Sequence, residues 1–380
     1  MKILLSCGEP SGDLYAGALV RALRRADPSV EVFGMGGAHM AEAGAELLVD
    51  YRGLAVTGLT EVVTALPRLL RTLRTLVDAA RDRRPDVLVV IDYPDFNFRL
   101  MQAVKALGIP VVYYISPQLW AWRAGRMRTM QAVVDRVLPI FPFEQALYRE
   151  AGVDVRFVGH PLLELTKTTA PREALRAEWG IGPDQALVAL LPGSRGNELK
   201  ALAPVLAEAR DRIRQQRPSA RFVVARAPHV TDAWLAPLTA DPGTLVVADR
   251  TDDVLAACDV VLTASGTATV QAAIHGAPMV VLYRLSALTY RLFKPLGRVD
   301  MYAMVNLISG RRIVRELIQD ECRAEAAAVE ALRMLTDRDY RAQMVRDLAA
   351  VREALGGPGA SDRAAAAIAE LVTARATARG

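Results

Sequence analysis

The alternation of short apolar runs with helical segments constrains the fold of this chain more than any other feature. Between Asp259 and Tyr283, an apolar run at 260–262 leads through a small polar loop into a helical segment, and a second apolar run follows. Apolar runs of this length, bounded by turn residues, are typical of buried strands in a parallel sheet. The stretch therefore predicts a strand–loop–helix–strand unit of an α/β protein.

Both halves of the chain repeat this pattern. Further apolar runs of strand length begin at Lys2, Asp86, Val111, Arg136, Ala186, Arg221 and Thr244. Threonine and proline cluster at 165–171, which favours a hinge there. We therefore predict two Rossmann-like parallel-sheet domains that face a cleft, at 1–165 and 166–345. C-terminal helices at 346–380 are expected to pack back on the N-terminal domain.

The charge balance narrows the class of ligand. The chain has 47 Lys and Arg against 42 Asp and Glu, a net charge of +5 over 380 residues. This mild basic excess suits an anionic ligand or an anionic membrane surface. Since no basic block, zinc-finger or RNP pattern accompanies it, we predict no nucleic-acid partner.

Cysteine spacing and hydropathy indicate the compartment. Cys7, Cys258 and Cys322 are widely separated, as expected for reduced thiols of a cytoplasmic protein with no disulfide framework and no metal site. No apolar stretch approaches the ~20 residues that span a bilayer. Any membrane contact is therefore expected to be peripheral.

A polar loop follows the first predicted strand, at the sheet edge where parallel sheets bind ligands. Glu9 and Asp13 there could bind sugar hydroxyls or a cation, or could simply solvate the loop, and Ser11 is a candidate N-cap of a helix from about Leu14. The glycines do not match GxGxxG, so the loop carries no dinucleotide fingerprint.

Two carboxylates follow the strand that begins at Asp86. Asp92 and Asp95 lie in a turn tightened by Pro94, which is the expected place for a catalytic base, although structural carboxylates remain the alternative. After the next strand, Trp120 and Trp122 predict a ligand wall or a domain interface.

Apolar residues recur at helical spacing from Leu54 to Val77, and Pro67 predicts a kink or a restart of the helix. Three arginines, Arg68, Arg71 and Arg74, lie on a neighbouring face. The pattern favours a helix that faces the core. The alternative is an exposed apolar surface with a basic rim for an acyl chain or the membrane interface.

In the second half, Arg195 lies in a glycine-flanked turn after a predicted strand, where it could clamp a diphosphate with two hydrogen bonds. Gly266 lets a ligand approach the backbone, and Ser265 and Thr267 could cap the following helix. The helix N-terminus favours phosphate, but an ordinary capped turn is an equal alternative.

Taken together, these loops resemble those of the lipid-A-disaccharide synthase family of Gram-negative bacteria, a GT-B class of glycosyltransferase in lipopolysaccharide synthesis. The matching motifs occur in the family's order and span nearly the whole chain. They are GEPSGD at 8–13, IDYPDFN at 91–97, SPQLWAW at 116–122, FPFE at 141–144, VGHPL at 158–162, LLPGSRGNEL at 190–199, ASGTATVQAA at 264–273 and VNLISGRRIVRELIQDEC at 305–322.

The resemblance implies an inverting hexosyltransferase at the cytoplasmic face of the inner membrane, acting without a metal or another cofactor. It would join UDP-2,3-diacylglucosamine and 2,3-diacylglucosamine 1-phosphate (lipid X) into the β-1,6-linked lipid A disaccharide 1-phosphate and release UDP. The N-terminal domain would bind the acceptor and the C-terminal domain the UDP-sugar. The resemblance leaves a homodimer open.

The resemblance also implies roles for particular residues. Asp92 would be the general base, with Glu9 and Asn306 as further catalytic positions. The substrate-binding set would be Ser11, Asp95, Trp122, Ser194, Arg195, Ser265, Gly266, Thr267 and Gln271. The acyl or membrane patch would comprise Leu59, Val62, Val63, Leu66, Leu69 and Leu70.

Position 271 departs from the family pattern, because Gln271 replaces a glutamate that typically holds the ribose hydroxyls in related GT-B enzymes. An amide accepts one hydrogen bond and donates another but carries no charge, so we expect UDP binding to be retained but somewhat weaker. Pro10 and Tyr93 are milder departures that could alter loop shape. Two alternatives stay open: another GT-B enzyme, such as an N-acetylglucosaminyl transferase or UDP-N-acetylglucosamine 2-epimerase, and a non-catalytic, membrane-associated sugar-nucleotide binder.

Overall fold

A computed structural model describes residues 1–54, 59–117, 125–228, 230–284 and 301–377, with the side chains of 53–65 outside the description. The chain divides into two compact units. Unit 1 comprises Met1–Glu164 together with Leu355–Gly380, and unit 2 comprises Leu165–Ala354.

Unit 1 is built on a six-stranded sheet in which every described strand pair is parallel. The strands are β1 Lys2–Cys7, β2 Glu31–Gly36, β3 Glu46–Asp50, β4 Val87–Ile91, β5 Val111–Tyr114 and β6 Arg136–Leu138. Their order is β3-β2-β1-β4-β5-β6, which is that of the Rossmann fold. The two central strands pair with Ile3 opposite Val87, so the loops after β1 and β4 lie side by side.

Helices connect these strands. They are α1 Pro10–Ala26, α2 Ala38–Glu42, α3 Leu59–Arg83, α4 Pro94–Lys105, α5 Arg126–Val133, α6 Pro142–Glu150 and α7 Leu162–Leu165. Helix α1 begins at Pro10 with Glu9 in the N-cap position, so the predicted start at Leu14 with Ser11 as cap is wrong. The fixed φ of proline suits the first helical position, which explains the earlier start.

Unit 2 repeats the design with a second parallel sheet in the order β12-β11-β10-β7-β8-β9. Its strands are β7 Leu187–Leu191, β8 Arg221–Arg226, β9 Thr244–Ala248, β10 Val260–Ala264, β11 Met279–Tyr283 and β12 Arg315–Ile318. Its helices are α8 Arg172–Glu178, α9 Gly196–Gln216, α10 Asp232–Thr239, α11 Thr251–Ala257, α12 Thr267–Ile274, α13 Met304–Ser309, α14 Ala324–Thr336 and α15 Arg338–Ala354.

The last helix, α16 Ala360–Thr377, belongs to unit 1. Arg25 on α1 pairs with Asp362 at 2.6 Å, and the buried Arg136 donates to the carbonyl of Ala367 at 2.8 Å. The boundary that the sequence analysis placed at 345/346 falls inside α15, whose buried residues pack in the core of unit 2.

The central strands of both sheets are buried on both faces, since every residue of β4, β7 and β10 is buried. Burial on both faces explains why these strands appear in the sequence as continuous apolar runs. None of the described helices is long and apolar enough to cross a membrane.

Candidate active site

In unit 1, the turn after β4 holds Asp92 in an unusual backbone conformation. Asp92 and Tyr93 have φ angles of 46° and 48°, in the left-handed region that non-glycine residues rarely adopt. Two donors pin the turn through the carbonyl of Asp92: Asn97 Nδ2 at 2.7 Å and the Tyr113 hydroxyl at 3.0 Å. The backbone N–H of Asp92 donates to the carbonyl of Ile115 at 3.3 Å. Strained turns that the surroundings hold in this way are typical of catalytic sites.

Asn97 joins this turn to the central strand. Its side chain is fully buried, and its Oδ1 accepts a hydrogen bond from Ser6 Oγ at 2.8 Å. The sequence analysis gave neither residue a role. A serine inside the otherwise apolar β1, together with an asparagine shortly after the Asp92 turn, was the signal that could have identified the pair.

The Tyr93 side chain connects the loops after β1 and β4. A Cβ atom at position 8 would lie 2.3 Å from Tyr93 Cδ1, so the ring requires glycine at that position. Burial raises the pKa of Tyr93, and the charges of Glu9 and Asp95 raise it further. Glu9, Tyr93 and Asp95 therefore lie in one neighbourhood at the carboxyl edge of the sheet.

Asp13 has a structural role. Its buried carboxylate accepts from the backbone N–H groups of Gly37, His39 and Met40 at 2.8 to 3.1 Å, which caps the N-terminus of α2. Of the two interpretations left open for Asp13, these contacts and its burial favour the structural one over binding of sugar hydroxyls or a cation.

Asp95 is exposed and forms an ion pair with Arg126, whose guanidinium lies 5.0 Å from the centre of the Phe98 ring. Ser11 is half-buried in the first turn of α1. Trp122 lies outside the described residues.

His160 is a buried histidine of unit 1. The ring of His160, from the VGHPL motif, packs against Tyr15 and Phe141 with centroid distances of 6.0 and 5.4 Å. Burial lowers the pKa of His160 to about 3. Its Nδ1 accepts from the N–H of Leu162 at 3.2 Å, so the ring packs in the interior without a charge at neutral pH.

The exposure of the apolar side chains on helix α3 changes along its length. The helix itself continues without interruption through Pro67. Leu76 is buried in the core and Leu69 packs against it half-buried, as the core-facing interpretation predicts. Leu66 and Leu70 are 45% and 40% exposed, as the apolar-surface interpretation predicts. The side chains of Leu59, Val62 and Val63 lie outside the described part. Three arginines of this segment are also exposed: Arg68, Arg71 and Arg74.

In unit 2, Arg195 occupies the N-cap position of α9, after β7. The Glu198 carboxylate accepts from the backbone N–H of Ser194 at 3.3 Å, and it lies 3.6 Å from a guanidinium nitrogen of Arg195. The Arg195 side chain is 66% exposed. The loop therefore presents a fork-shaped cation to solvent at the carboxyl edge of the sheet.

The N-terminus of α12 is open. Gly266, in the N-cap position, has φ 152° and ψ −157°, and none of the described side chains caps the helix. The prediction that Ser265 or Thr267 supplies the cap is therefore wrong. A Cβ atom at position 266 would meet no atom of the described residues within 4 Å, and both Gly266 and Thr267 are exposed. Uncapped N–H groups at an exposed helix start are suited to an anion.

Tyr283 at the end of β11 lies near the Arg195 loop. Burial raises the pKa of Tyr283, the charge of Glu198 raises it further, and the charge of Arg195 lowers it. Its ring stacks on Tyr302 with a centroid distance of 6.2 Å. Aromatic rings and the Arg195 guanidinium thus share one region of unit 2.

Asn306 lies in the interior of unit 2, where its amide makes four hydrogen bonds. Nδ2 donates to Val314 O at 3.0 Å and to Glu316 Oε1 at 2.7 Å, while Oδ1 accepts from the N–H groups of Ile313 and Val314. Glu316 in turn accepts from the N–H groups of Tyr302 and Ala303. The two donors and the acceptor oxygen of the Asn306 amide are therefore all engaged within unit 2.

Gln271 is half-buried on α12, and its Nε2 lies 3.4 Å from Oδ1 of Asp252. Asp252 received no role in the sequence analysis, because it lies on a different helix and only the tertiary structure brings it beside Gln271.

The sequence matches known proteins over nearly its whole length. The model of the lipid-A-disaccharide synthetase family matches residues 3–371. The lipid-A-disaccharide synthase of Geobacter sulfurreducens is 42% identical over 373 residues, covering 98% of this chain and 97% of that protein. The corresponding synthase of Myxococcus xanthus is 43% identical with the same coverage.

Solved structures of low sequence identity share the fold. UDP-GlcNAc 2-epimerase of Neisseria meningitidis, bound to UDP-GlcNAc, superposes with a TM-score of 0.71 at 14% identity, covering 97% of this chain and 100% of that chain. MurG of Acinetobacter baumannii does so with a TM-score of 0.59 at 15% identity, covering 97% and 99%. These two likenesses confirm the GT-B fold alone. The family model and the two synthases, which match nearly the whole chain, show that the chain belongs to the lipid-A-disaccharide synthase family, glycosyltransferases of lipid A biosynthesis.

Proposed function

We propose that this enzyme transfers the 2,3-diacylglucosamine unit of UDP-2,3-diacylglucosamine to the 6-hydroxyl of lipid X. The new bond joins the acceptor oxygen to the anomeric carbon of the donor, the bond from that carbon to the diphosphate breaks, and UDP leaves. Attack from the face opposite the leaving group inverts the anomeric centre. The resemblance to the family supplies these substrates, and the contacts in each unit support the roles below.

Asp92 is the general base in this proposal. It accepts the proton of the attacking hydroxyl, a role that requires a carboxylate on a well-held backbone at a ligand edge. The observation that carries the assignment is the left-handed turn at Asp92, pinned by Asn97 and Tyr113. Glu9 and Ser11 at the neighbouring loop bind sugar hydroxyls, and Asp95 helps to orient the turn through its pair with Arg126.

Unit 2 binds the departing UDP. Arg195, Ser194 and the open N-terminus of α12 at Ser265, Gly266 and Thr267 supply positive potential for the diphosphate, so that no metal ion is needed. Gln271 accepts from the ribose. Asn306 acts through Glu316, which holds the peptide at Tyr302 and Ala303. For Trp122, substrate binding rests on the resemblance alone.

Helix α3 receives the acyl chains or the membrane interface, through Leu59, Val62, Val63, Leu66, Leu69 and Leu70. The exposure of Leu66 and Leu70 beside exposed arginines supports this role. The enzyme would then work as a peripheral protein at the cytoplasmic face of the inner membrane, and a homodimer remains compatible with this placement.

Turnover of the purified enzyme with both substrates, in detergent micelles containing EDTA, tests the reaction. We expect UDP and a disaccharide 1-phosphate by mass spectrometry. Asp92→Asn should lower turnover by about 10²–10⁴-fold, the usual contribution of a general base, and leave UDP binding intact. UDP binding without any product from the unaltered enzyme would contradict the proposed reaction and favour a non-catalytic sugar-nucleotide binder.

Binding to anionic vesicles tests the role of α3. Leu66→Ser with Leu70→Ser should weaken sedimentation with vesicles and raise KM for the lipid substrates, whereas the matched pair Thr75→Ser with Arg81→Lys, farther along the same helix, should not. Unchanged vesicle binding by the leucine variant would remove α3 from the proposal.

A further inference from the structure

The carboxylate of Asp252 lies beside the residue that departs from the family pattern. It is in the first turn of α11, and its side chain is 20% exposed. Oδ1 lies 3.4 Å from Gln271 Nε2 and 3.0 Å from His275 Nε2, while Oδ2 accepts from the backbone N–H of Lys167 at 3.3 Å. Three groups thus hold this carboxylate in place, and none of the roles assigned above uses it.

Asp252 determines which way the Gln271 amide points. An ionised carboxylate only accepts hydrogen bonds, so the amide must turn its NH₂ group toward Asp252. The other amide atom, Oε1, is then directed away from Asp252 and remains an acceptor. A glutamine without such a neighbour could present either atom to a ligand.

The position of Gln271 on α12 relates this acceptor to the proposed diphosphate site. Gln271 is four residues after Thr267, so the two side chains occupy the same face of the helix. Long side chains on a helix lean toward its N-terminus. Oε1 of Gln271 therefore lies on the same face of α12 as Thr267, on a side chain that leans toward the N-terminus of the helix.

We propose that Asp252 is a positioning residue of the nucleoside site. It holds the Gln271 amide so that Oε1 accepts a hydrogen bond from a ribose hydroxyl of a bound nucleoside diphosphate. The inference rests on the proposed binding of UDP by unit 2. It also explains why a glutamine, and not a glutamate, suits position 271. A carboxylate at 271 would lie beside the carboxylate of Asp252 and be repelled, so an amide at 271 and a carboxylate at 252 form a matched pair.

Exchanging the amide at position 271 and the carboxylate at position 252 tests the proposed role of Asp252. Isothermal titration calorimetry of the full-length protein with UDP and with 2′,3′-dideoxy-UDP would compare Asp252→Asn, Gln271→Glu and the double variant. Asp211→Asn, on an exposed face of α9, makes the same change of charge away from this site. Thermal unfolding of each variant separates loss of fold from loss of the contact.

Asp252→Asn should weaken UDP binding by about three- to tenfold, the value of one hydrogen bond, because an asparagine no longer forces one amide orientation. The residue type at 271 alone predicts tighter UDP binding by a glutamate, but beside Asp252 the opposite is expected: Gln271→Glu alone should weaken UDP binding by about tenfold or more through like-charge repulsion. The double variant should recover UDP affinity to within about twofold of the unaltered protein, since amide and carboxylate have only exchanged places. Affinity for 2′,3′-dideoxy-UDP should not change with Asp252→Asn.

Two results would overturn the inference while leaving UDP binding by unit 2 intact. One is unchanged UDP affinity in Asp252→Asn, and the other is a double variant that binds no better than Gln271→Glu. Absence of UDP binding by the unaltered protein would instead overturn the proposed function, and this inference with it.

Discussion

The Asp92 turn of unit 1 and the α12 start of unit 2 are both loops at the carboxyl edge of a parallel sheet, but the protein holds them differently. Buried side chains pin the Asp92 carbonyl with two hydrogen bonds, and the Tyr93 ring packs on Gly8. At the start of α12, none of the described side chains caps the helix or approaches Gly266, and Arg195 is largely exposed.

This difference suits the two chemical roles that we propose. A base must be oriented before the reaction, because a small misplacement of the accepting atom costs a large part of the rate. A diphosphate supplies its own acceptors and charge, so uncapped N–H groups and an exposed guanidinium can bind it. Side chains of unit 1 hold the first loop in place, and we propose that the diphosphate binds at the second.

We expect the largest effect on activity from loss of the hydrogen bond by which Asn97 holds the Asp92 carbonyl. Asn97→Ala removes the 2.7 Å donor to Asp92 and leaves the buried Ser6 hydroxyl without its acceptor. We expect kcat to fall by about 100-fold, since misplacement of a catalytic group has consequences of this size, with UDP binding unchanged. Tyr113→Phe removes only the other donor and should cost less. Steady-state kinetics at saturating UDP-sugar measures both. Equal losses in kcat and UDP affinity would mean that the two loops are not held independently.

A steric change at Gly8 should act on the same turn. Gly8→Ala places a methyl group 2.3 Å from the Tyr93 ring, so the ring and the adjoining Asp92 must move. We expect about a tenfold or larger loss of kcat, again by misplacement. The double variant with Tyr93→Ala removes the clash and should regain part of the rate. If the second substitution restores nothing, Gly8 acts by some route other than contact with Tyr93.

A smaller effect is expected on the open loop. Arg195→Lys keeps the charge but loses the fork that binds phosphate oxygens in pairs. KM for the UDP-sugar should rise by about tenfold, the value of one charge-assisted hydrogen bond, with little change in unfolding temperature because the side chain is mostly exposed. Arg212→Lys on an exposed face of α9 is the control. A fall in stability at Arg195 would show that the protein also depends on this loop for its fold.

The smallest effect on activity is expected at His160, whose contribution appears in stability. Its pKa is about 3 in the folded protein and near 6.5 when unfolded, so the unfolded state binds more protons between these values. As pH falls from 6.5 toward 3, this group should lower the free energy of unfolding by up to about 1.4 kcal/mol per pH unit. His160→Asn, which retains an acceptor for the Leu162 N–H, should show a shallower decline in urea unfolding at each pH. Parallel profiles would mean that the imidazole is not buried as neutral.

Much of the fold follows from local patterns. The runs at 86–91, 186–191 and 260–262 predict buried strands, and in the observed strands at 87–91, 187–191 and 260–264 burial on both faces leaves one polar residue, Thr263. The loops after β1, β4, β7 and β10 were likewise identifiable, because ligands bind where parallel strands end. Helix caps were harder: Ser11, Ser265 and Thr267 had suitable side chains, yet Glu9 and Gly266 occupy the cap positions.

By itself, the sequence determined the parallel-sheet class, the two halves, the family motifs and the candidate residues, since all of these depend on side-chain type and spacing along the chain. Only the tertiary structure decided which polar residues hold others in place. Ser6 meets Asn97, Gly8 meets Tyr93, and Asp252 meets Gln271, each across many residues of sequence. The physical reason is that hydrogen bonds and close contacts act over a few ångströms in space. No local pattern records which distant residue occupies that space.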